Sequence, residues 1–534
     1  VRNIYDSPLF KSALIAAPPA PSARPRMPSL THVDKRMYAG ARKSRLTADF
    51  GVGETSADAE LHASLVQLRA RSRELVRDAA FAQRARNVTV NNVIGSGIGL
   101  QGQVRSSRDK LRAEINDGIE AAWWSWCAAD RCHTGGVLHF HQFERAAMCQ
   151  VFEAGEVFIR VHRQPFGSSR IPIALELIEA ERLAQHYVQP TALPDGSQYR
   201  MGVEHDAFGR PLAYWIRDAH PGDLKWSRGG AGAERLTRVP ADQMFHLRLI
   251  TRWPQTRGEP WLHAVLRKLH DVDGYSESEV VAARAAAAYM GIIETPDHEG
   301  PLSGEAQADG SREFDLAPGT TVRLNPGEKF GSYTPNRPNA AMEGFMRHML
   351  REIGVGADVP YESISGDYSQ SNYSSSRLSL LESRDTWKHL QQWFIQSFRE
   401  PLHKLWLESA VLSGAIPAIN RAEYAIHPDK YESVQFKPRG WSWVDPTKEV
   451  AAYKDAIAAG FTTVTAVIAA TGNGQDLEEV LDERERELQM MADKGLKFDT
   501  SPVAAAPTPP PIPAADEQVE ALPATAPRVV PLRR

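Results

Sequence analysis

Residues 360–377 read PYESISGDYSQSNYSSSR, and a long stretch of helical character follows them. From Val355 to Tyr373 the chain carries Asp358, Glu362 and Asp367 but neither Lys nor Arg. Most of the remainder is Ser, Gly, Gln, Asn and Tyr. Such a run has no apolar period of either helix or strand, so it predicts a loop over 354–373. Helices are predicted on both sides. The upstream one covers 340–353. The downstream one covers 374–412, with Ser374–Ser376 capping its start and a bend before Pro401. A sequence-specific reader of nucleic acid needs Arg or Lys at base edges and phosphates. A tight non-specific binder needs many phosphate contacts. This loop offers neither, only hydroxyl and amide groups suited to weak, exchangeable contacts. The alternative is an ordinary exposed polar loop.

Working outward, the chain predicts an α+β, helix-rich fold. Leu61, Leu65, Leu68, Leu75 and Ala79 predict a helix over 57–87. Gly95-Ser-Gly-Ile-Gly99 predicts a turn; it lacks the strand, helix and acidic residue of a dinucleotide loop. Helices are predicted over 108–132 and 140–153, then strands at 156–162, 203–215 and 244–249, with 175–183 a strand leading into a turn of helix. The 203–215 stretch is a pair joined at Phe208-Gly-Arg-Pro211. Leu262, Val265, Leu266, Leu269 and Val272 predict a helix over 261–290. Its Ala-rich second half allows close packing, with Val280, Val281, Ala285 and Tyr289 as candidate contacts to a neighbouring chain. The alternative is an internal core helix. Gly, Pro and Asp dominate 291–338, where short strands are predicted at 314–316, 321–324 and 329–333. Helices are predicted at 448–460, 463–471 and 476–493.

The bulk properties exclude several classes. The 534 residues carry a formal charge of −4, which is not the balance of a protein that grips DNA over its whole surface. Residues 1–50 nevertheless hold nine Lys/Arg against Asp6, Asp34 and Asp49. They predict a basic, largely disordered arm, either simply solvated or touching nucleic acid or a partner. Residues 494–534 predict a disordered Pro/Ala-rich tail. No apolar run is long enough for a membrane span, and the first ten residues lack a signal-peptide layout. Cys127, Cys132 and Cys149 are too few for a disulfide framework. Together with His133, His139 and His141 they lack regular zinc-ligand spacing, so no metal is expected. No P-loop, H-E-x-x-H or G-x-S-x-G occurs. The acidic residues between 478 and 487 predict a solvated helix face, not a nuclease cluster. No catalytic residue and no cofactor is expected.

Five stretches in this order resemble the lambda-like family of bacteriophage portal proteins. They are RSRELVRD (71–78) running on to NNVIGSG (91–97), GVEHDAFGRPLAY (202–214), 252–260 with Gln255, Arg257 and Gly258, residues 360–377, and GWSWVDPTKE (440–449). Together they span about residues 50–490. The resemblance implies a portal fold with wing, stem, clip and crown that assembles as a dodecameric ring around a central channel. On it, 51–260 is wing, 261–290 the first stem helix, 291–338 clip, 339–353 the second stem helix and 354–373 the tunnel loop. Residues 374–447 are then the long helix and the return to the wing, and 448–493 the crown.

The same resemblance implies a conduit at the capsid vertex, in the virion and earlier in the host cytoplasm, for packaging and ejecting double-stranded DNA. It implies no enzymatic activity. The implied partners are further copies of the chain, the terminase large subunit, head-completion or connector proteins, and the major capsid and scaffold proteins. The implied tunnel residues are Asp358, Tyr361, Glu362, Asp367, Tyr368, Gln370, Asn372 and Tyr373. The implied partner-facing clip residues are Arg312, Arg323, Lys329, Tyr333 and Arg337. The alternatives are another phage head or tail structural protein, or a nucleic-acid-processing hydrolase.

Overall fold

The computed structural model describes residues 45, 51, 53–105, 111–186, 196–223, 235–288, 292–294, 305–306, 312–313, 329–331, 341–370, 372–441, 446–471 and 477–496. The basic arm and the Pro/Ala-rich tail predicted from composition lie almost wholly outside those residues. The chain divides between Ser56 and Ala57, and the architecture below belongs to the second unit.

Helix α1 (Ala57–Asp78) buries Leu61, Leu65, Leu75 and Val76 along one side. The single helix predicted over 57–87 is in fact two. Ala79 adopts extended backbone (φ −95°, ψ 119°), and α2 runs from Ala80 to Val93. The expected turn at 95–99 is present, with Gly95 and Gly97 at positive φ. Strand β1 (Gly99–Gly102) follows, then α3 (Ala113–Trp126), α4 (Ala129–Cys132) and α5 (Phe140–Ala154). A capping box between His139 and Gln142 opens α5. Gly155 closes it in the left-handed region (φ 85°). A Cβ there would lie 2.3 Å from the backbone of Glu259, so only glycine lets the chain turn straight into β2 (Glu156–His162).

Strand β2 pairs antiparallel with β3 (Ala174–Ile178) and β8 (Met244–Arg248), giving the order β3-β2-β8. Strands β4 (Gln198–Arg200), β5 (Val203–His205), β6 (Pro211–Arg217) and β7 (Leu236–Pro240) form an antiparallel meander. Asp206 ties its β5–β6 tip by accepting the amides of Phe208 and Arg210. Helix α6 covers Leu266–Ala288 and starts later than the predicted Trp261, because turns occupy 261–265. Short strands β9 (Ile292–Glu294), β10 (Glu305–Ala306), β11 (Arg312–Glu313) and β12 (Lys329–Gly331) pair as β9–β12 and β10–β11. The strands predicted at 314–316 and 321–324 lie outside the described residues.

Helix α7 (Met342–Ala357) overruns the predicted end at Ile353 by one turn. A short helix α8 (Tyr361–Ser365) follows, then α9 (Tyr373–Phe394). Because α9 starts at Tyr373, Ser374–Ser376 sit inside its first turn and do not cap it. The break expected before Pro401 is a π turn, Ile395–Arg399, leading into α10 (Glu400–Ser413). The Glu400 amide bonds the Ile395 carbonyl five residues back, one way to absorb a proline that has no amide to donate. The remaining elements are α11 (Arg421–Ile426), β13 (Val434–Lys437, paired with β1), α12 (Pro446–Ala458), α13 (Val464–Thr471) and α14 (Leu477–Asp493).

The main core joins α1–α3, α5, β2, α6, α7, α9 and α10 through Trp123, Phe140, Phe143, Phe394, Phe398 and Trp406. A smaller cluster of Phe158, Tyr214, Ile216 and Val239 lies between the three-stranded sheet and the meander.

Candidate functional site: the segment between α7 and α9

Asp358 ends α7 in the left-handed region (φ 53°, ψ 41°), a conformation Asp tolerates better than most residues. Its glycine neighbours are closely packed. A Cβ on Gly354 would sit 2.8 Å from the Val359 carbonyl, and one on Gly356 2.3 Å from Val265. Trp261 Nε1 donates to the Ala357 carbonyl at 2.8 Å. Pro360 then precedes α8, and Gly366 (φ 70°) terminates it. The predicted loop is therefore a short capped helix with a turn on its end, and buried Ile364 anchors it.

The turn is built on Asp367. Its Oδ1 accepts the Ser369 amide at 3.0 Å, and its Oδ2 accepts the Tyr361 hydroxyl at 2.9 Å. Its own amide donates to Ser365 Oγ at 3.1 Å. The bonds from Ser369, and then the one from Tyr361, hold its carboxyl down to about 2. What the turn exposes is neutral: Tyr368 is 62% exposed, and Ser369 and Gln370 are also exposed.

Asp358 and Glu362 line a cavity of about 530 Å³ between α7, α8 and α9, with Arg351, Val355, Glu382 and Thr386. Burial, with the Glu382 carboxylate nearby, pushes Asp358 above the usual carboxylate range. The segment has no cation of its own, but its neighbours bring two. Arg84 Nε donates to the Ser363 carbonyl at 2.9 Å, and the Arg351 guanidinium lies 5.4 Å over the Tyr361 ring. The folded segment presents a neutral tip, an open acidic cavity and arginine supports.

Behind this segment, two buried ion clusters join elements that are remote in sequence. Glu156 accepts from Arg69 Nη2 (3.0 Å), Arg257 Nε (2.8 Å), His246 Nε2 (2.8 Å) and the Gly258 amide (2.9 Å). Arg257 also donates to the carbonyls of Met201 and Ala180, each at 3.1 Å. Despite burial, the guanidiniums and His246 hold Glu156 far below the usual range. In the second cluster the π turn aims Arg399 inward. Its Nε reaches Glu144 at 2.6 Å, and its guanidinium lies 4.9 Å over Phe140.

A family model for phage portal proteins of the lambda family matches residues 43–391. The chain belongs to that family. The probable portal protein of Halomonas phage phiHAP-1 is 28% identical over 456 residues, covering 84% of each chain. Portal protein B of Escherichia phage lambda is 22% identical over 480 residues, covering 83% of this chain and 87% of its own. Among solved structures, the neck of a native gene transfer agent particle superposes with a TM-score of 0.40 at 15% identity, covering 75% of this chain and 94% of that one. The neck of an empty particle superposes at 0.42 and 13% identity, covering 80% and 98%. This is a phage portal protein, from a family that is structural rather than catalytic. Among the described residues, no helix is long and apolar enough to cross a membrane.

Of the residues that the portal resemblance assigned to the tunnel, Asp358, Tyr361, Glu362, Asp367, Tyr368 and Gln370 fall within this one capped segment. Asn372 is exposed, and its carbonyl accepts the Ser376 amide at the start of α9. Tyr373 is the first residue of α9, and its side chain lies outside the described set. Val280 and Val281 are exposed on α6 (45% and 55%). Ala285 belongs to α6, but its side chain and the whole of Tyr289 lie outside the described residues. Of the residues that the resemblance assigned to the clip, Arg312 falls in β11 and exposed Lys329 in β12; Arg323, Tyr333 and Arg337 lie outside the described residues.

The cysteines and histidines of 127–149 serve the fold. Cys127 and Cys132 are buried, and Cys132 Sγ donates to the Cys127 carbonyl. His139 caps α5, and His141 pairs with Glu144. Glu179, Glu181 and His220 come close enough to hold an ion, but Arg73 already takes both Glu181 oxygens (2.8 and 3.0 Å). His220 Nδ1 accepts the Gly222 amide. That leaves Nε2 carrying the proton where a metal needs a lone pair.

Sequence reasoning missed the partners in both ion clusters. Arg257 and Gly258 lie in a stretch that carried the portal resemblance, but nothing local to Arg69, Glu144 or Arg399 marked them.

Proposed function

We propose that twelve copies of this chain close a ring at the capsid vertex, and that double-stranded DNA passes through it during packaging and ejection. Residues 51–260 form its wing, 261–290 and 339–353 its stem, 291–338 its clip and 448–493 its crown. The terminase large subunit, and later head-completion proteins, dock at the clip; capsid and scaffold proteins surround the wing. The energy for translocation comes from the partner ATPase, since this chain carries no P-loop.

The observation that carries this reading is the neutral tip Tyr368-Ser369-Gln370 on a rigidly capped turn. A channel wall that held a duplex by about 8 kcal/mol, a micromolar grip, would hinder every step of translocation. Hydroxyl and amide groups on a stiff turn can guide a polyanion by shape, without the counterion release that makes cationic walls adhesive. Electron microscopy of the purified chain should show closed rings with a central hole. Gln370→Lys together with Tyr368→Lys should leave the rings intact and slow packaging, most strongly at low salt. Solitary, unperforated particles would overturn the ring; unchanged packaging by the lysine variant would overturn the role of the neutral tip.

A further inference from the structure

Where α3 crosses α10, four nitrogens on neighbouring side chains are fully buried. Among the described residues none of the four has a hydrogen-bond partner: Trp123 Nε1, Arg399 Nη1, His403 Nε2 and Trp406 Nε1. The side chains are in mutual contact. The Trp123 ring centroid lies 5.0 Å from that of Trp406 and 6.0 Å from that of His403, and the latter two are 5.9 Å apart. The Arg399 guanidinium lies 5.5 Å over Trp123.

Elsewhere the fold satisfies such groups. Trp126, packed on the same Trp123 ring, donates its Nε1 hydrogen to the Ile173 carbonyl at 2.9 Å. The indoles of Trp215, Trp261 and Trp441 donate to Glu204, to the Ala357 carbonyl and to Asn92. A buried donor without an acceptor has given up its hydration for nothing, and four in one place would weigh heavily against a marginal stability. Rearrangement within the core does not supply the partners. Arg399 is already fixed by Glu144 and by the Ile98 carbonyl, and the rings are packed on one another.

We propose that these four nitrogens surround an internal hydration site, where buried water joins α3 to α10. Polar groups of this kind are where proteins hold buried water. The two indoles and the guanidinium only donate, while a neutral imidazole has one nitrogen that donates and one that accepts. Burial, and then Arg399, keep His403 neutral. Water both accepts and donates, so it serves all four nitrogens whichever way the imidazole is protonated. A halide only accepts, and it would add a negative charge to a core in which Glu144 already balances Arg399. The proposal does not depend on the ring. It gives the joint behind the π turn exchangeable bonds where direct side-chain pairs would be fixed ones.

Ultraviolet resonance Raman spectra carry a band that reports whether an indole N–H is hydrogen-bonded. Subtracting the spectrum of Trp123→Phe or Trp406→Phe from that of the parent isolates each indole, and Trp126→Phe supplies a bonded reference. Trp123 and Trp406 should both appear at the bonded position. In His403→Leu, which fills the site with an apolar side chain, both bands should shift toward the free position. Free bands in the parent, or bands that His403→Leu leaves unmoved, would overturn the shared site. Should the core variants not fold, a crystal structure of the unaltered protein grown with bromide decides. A solvent peak within about 3 Å of at least two of the four nitrogens, without anomalous signal, is the expected result. An anomalous peak would replace water with an ion, and a dry core would remove the site.

Discussion

Glu156 and Asp367 are both carboxylates held ionised by several donors, but they lie in opposite surroundings. Glu156 is completely buried, and its partners come from α1, from β8 and from the stretch that leads toward α6. Asp367 is solvated, and its partners Tyr361, Ser365 and Ser369 lie within six residues of it. The first arrangement fixes elements that are remote in sequence, because leaving any of its charges unpaired in the interior is expensive. The second shapes one turn, because water can replace each bond it loses. A framework can be over-determined while the segment it supports is tuned locally.

The strongest way to break that contrast is to remove Glu156. Glu156→Ala strands the Arg69 and Arg257 guanidiniums in the interior, and it should cost about 3–5 kcal/mol. The midpoint of urea unfolding should fall accordingly, with helices α1 and α2 losing amide-exchange protection first. A loss below about 1 kcal/mol would show that the cluster relaxes to water as readily as the turn does.

The sequence makes this contrast only half visible. The helix at 140–154 and the strands at 156–162 and 203–217 follow from apolar periodicity and from glycine turns, which are local signals. The break at Ala79 has no such signal, since alanine is the best helix former and only packing pulls it into extended backbone. The π turn is foreshadowed by Pro401 alone. The ion clusters pair residues 87, 101 and 255 positions apart, and charge composition cannot tell such a pair from two solvated side chains. At the candidate site, the lack of cations was legible and the architecture was not. Pro360 before α8 and Gly366 after it are the ordinary punctuation of a helix, but five residues are too few to show a period. Arg84 reaches Ser363 from 279 positions away.

Acid should sharpen the comparison next. Burial, and then Arg248, which donates to its Nδ1 at 2.7 Å, pushes His246 down to about 3. Burial, and then Arg399, does the same to His403. Both are neutral in the folded protein but would protonate near 6.5 when unfolded. The unfolded chain therefore binds more protons below that value, and stability falls as pH drops from about 6.5 toward 3. At pH 5 each histidine should cost about 2 kcal/mol. Replacing His403 with Gln should shrink the drop in melting temperature between pH 7 and pH 5. A variant that loses as much as the parent would place the acid sensitivity elsewhere.

The smallest effect belongs to the exposed turn. The bonds from Ser369 and Tyr361 hold Asp367 at about 2 in the folded protein. Any stability this lends is present above the unfolded value near 3.9, and it disappears as pH falls through about 2. Tyr361→Phe removes one donor and leaves the Ser369 amide in place, so the carboxyl should climb part of the way back. In a carbon-13 carboxyl titration the Asp367 midpoint should move upward, and by the same linkage the melting temperature at pH 7 should fall only slightly. A loss as large as that of Glu156→Ala would mean that the turn is braced as the Glu156 cluster is, and that local hydroxyls can carry the structural load here assigned to buried guanidiniums.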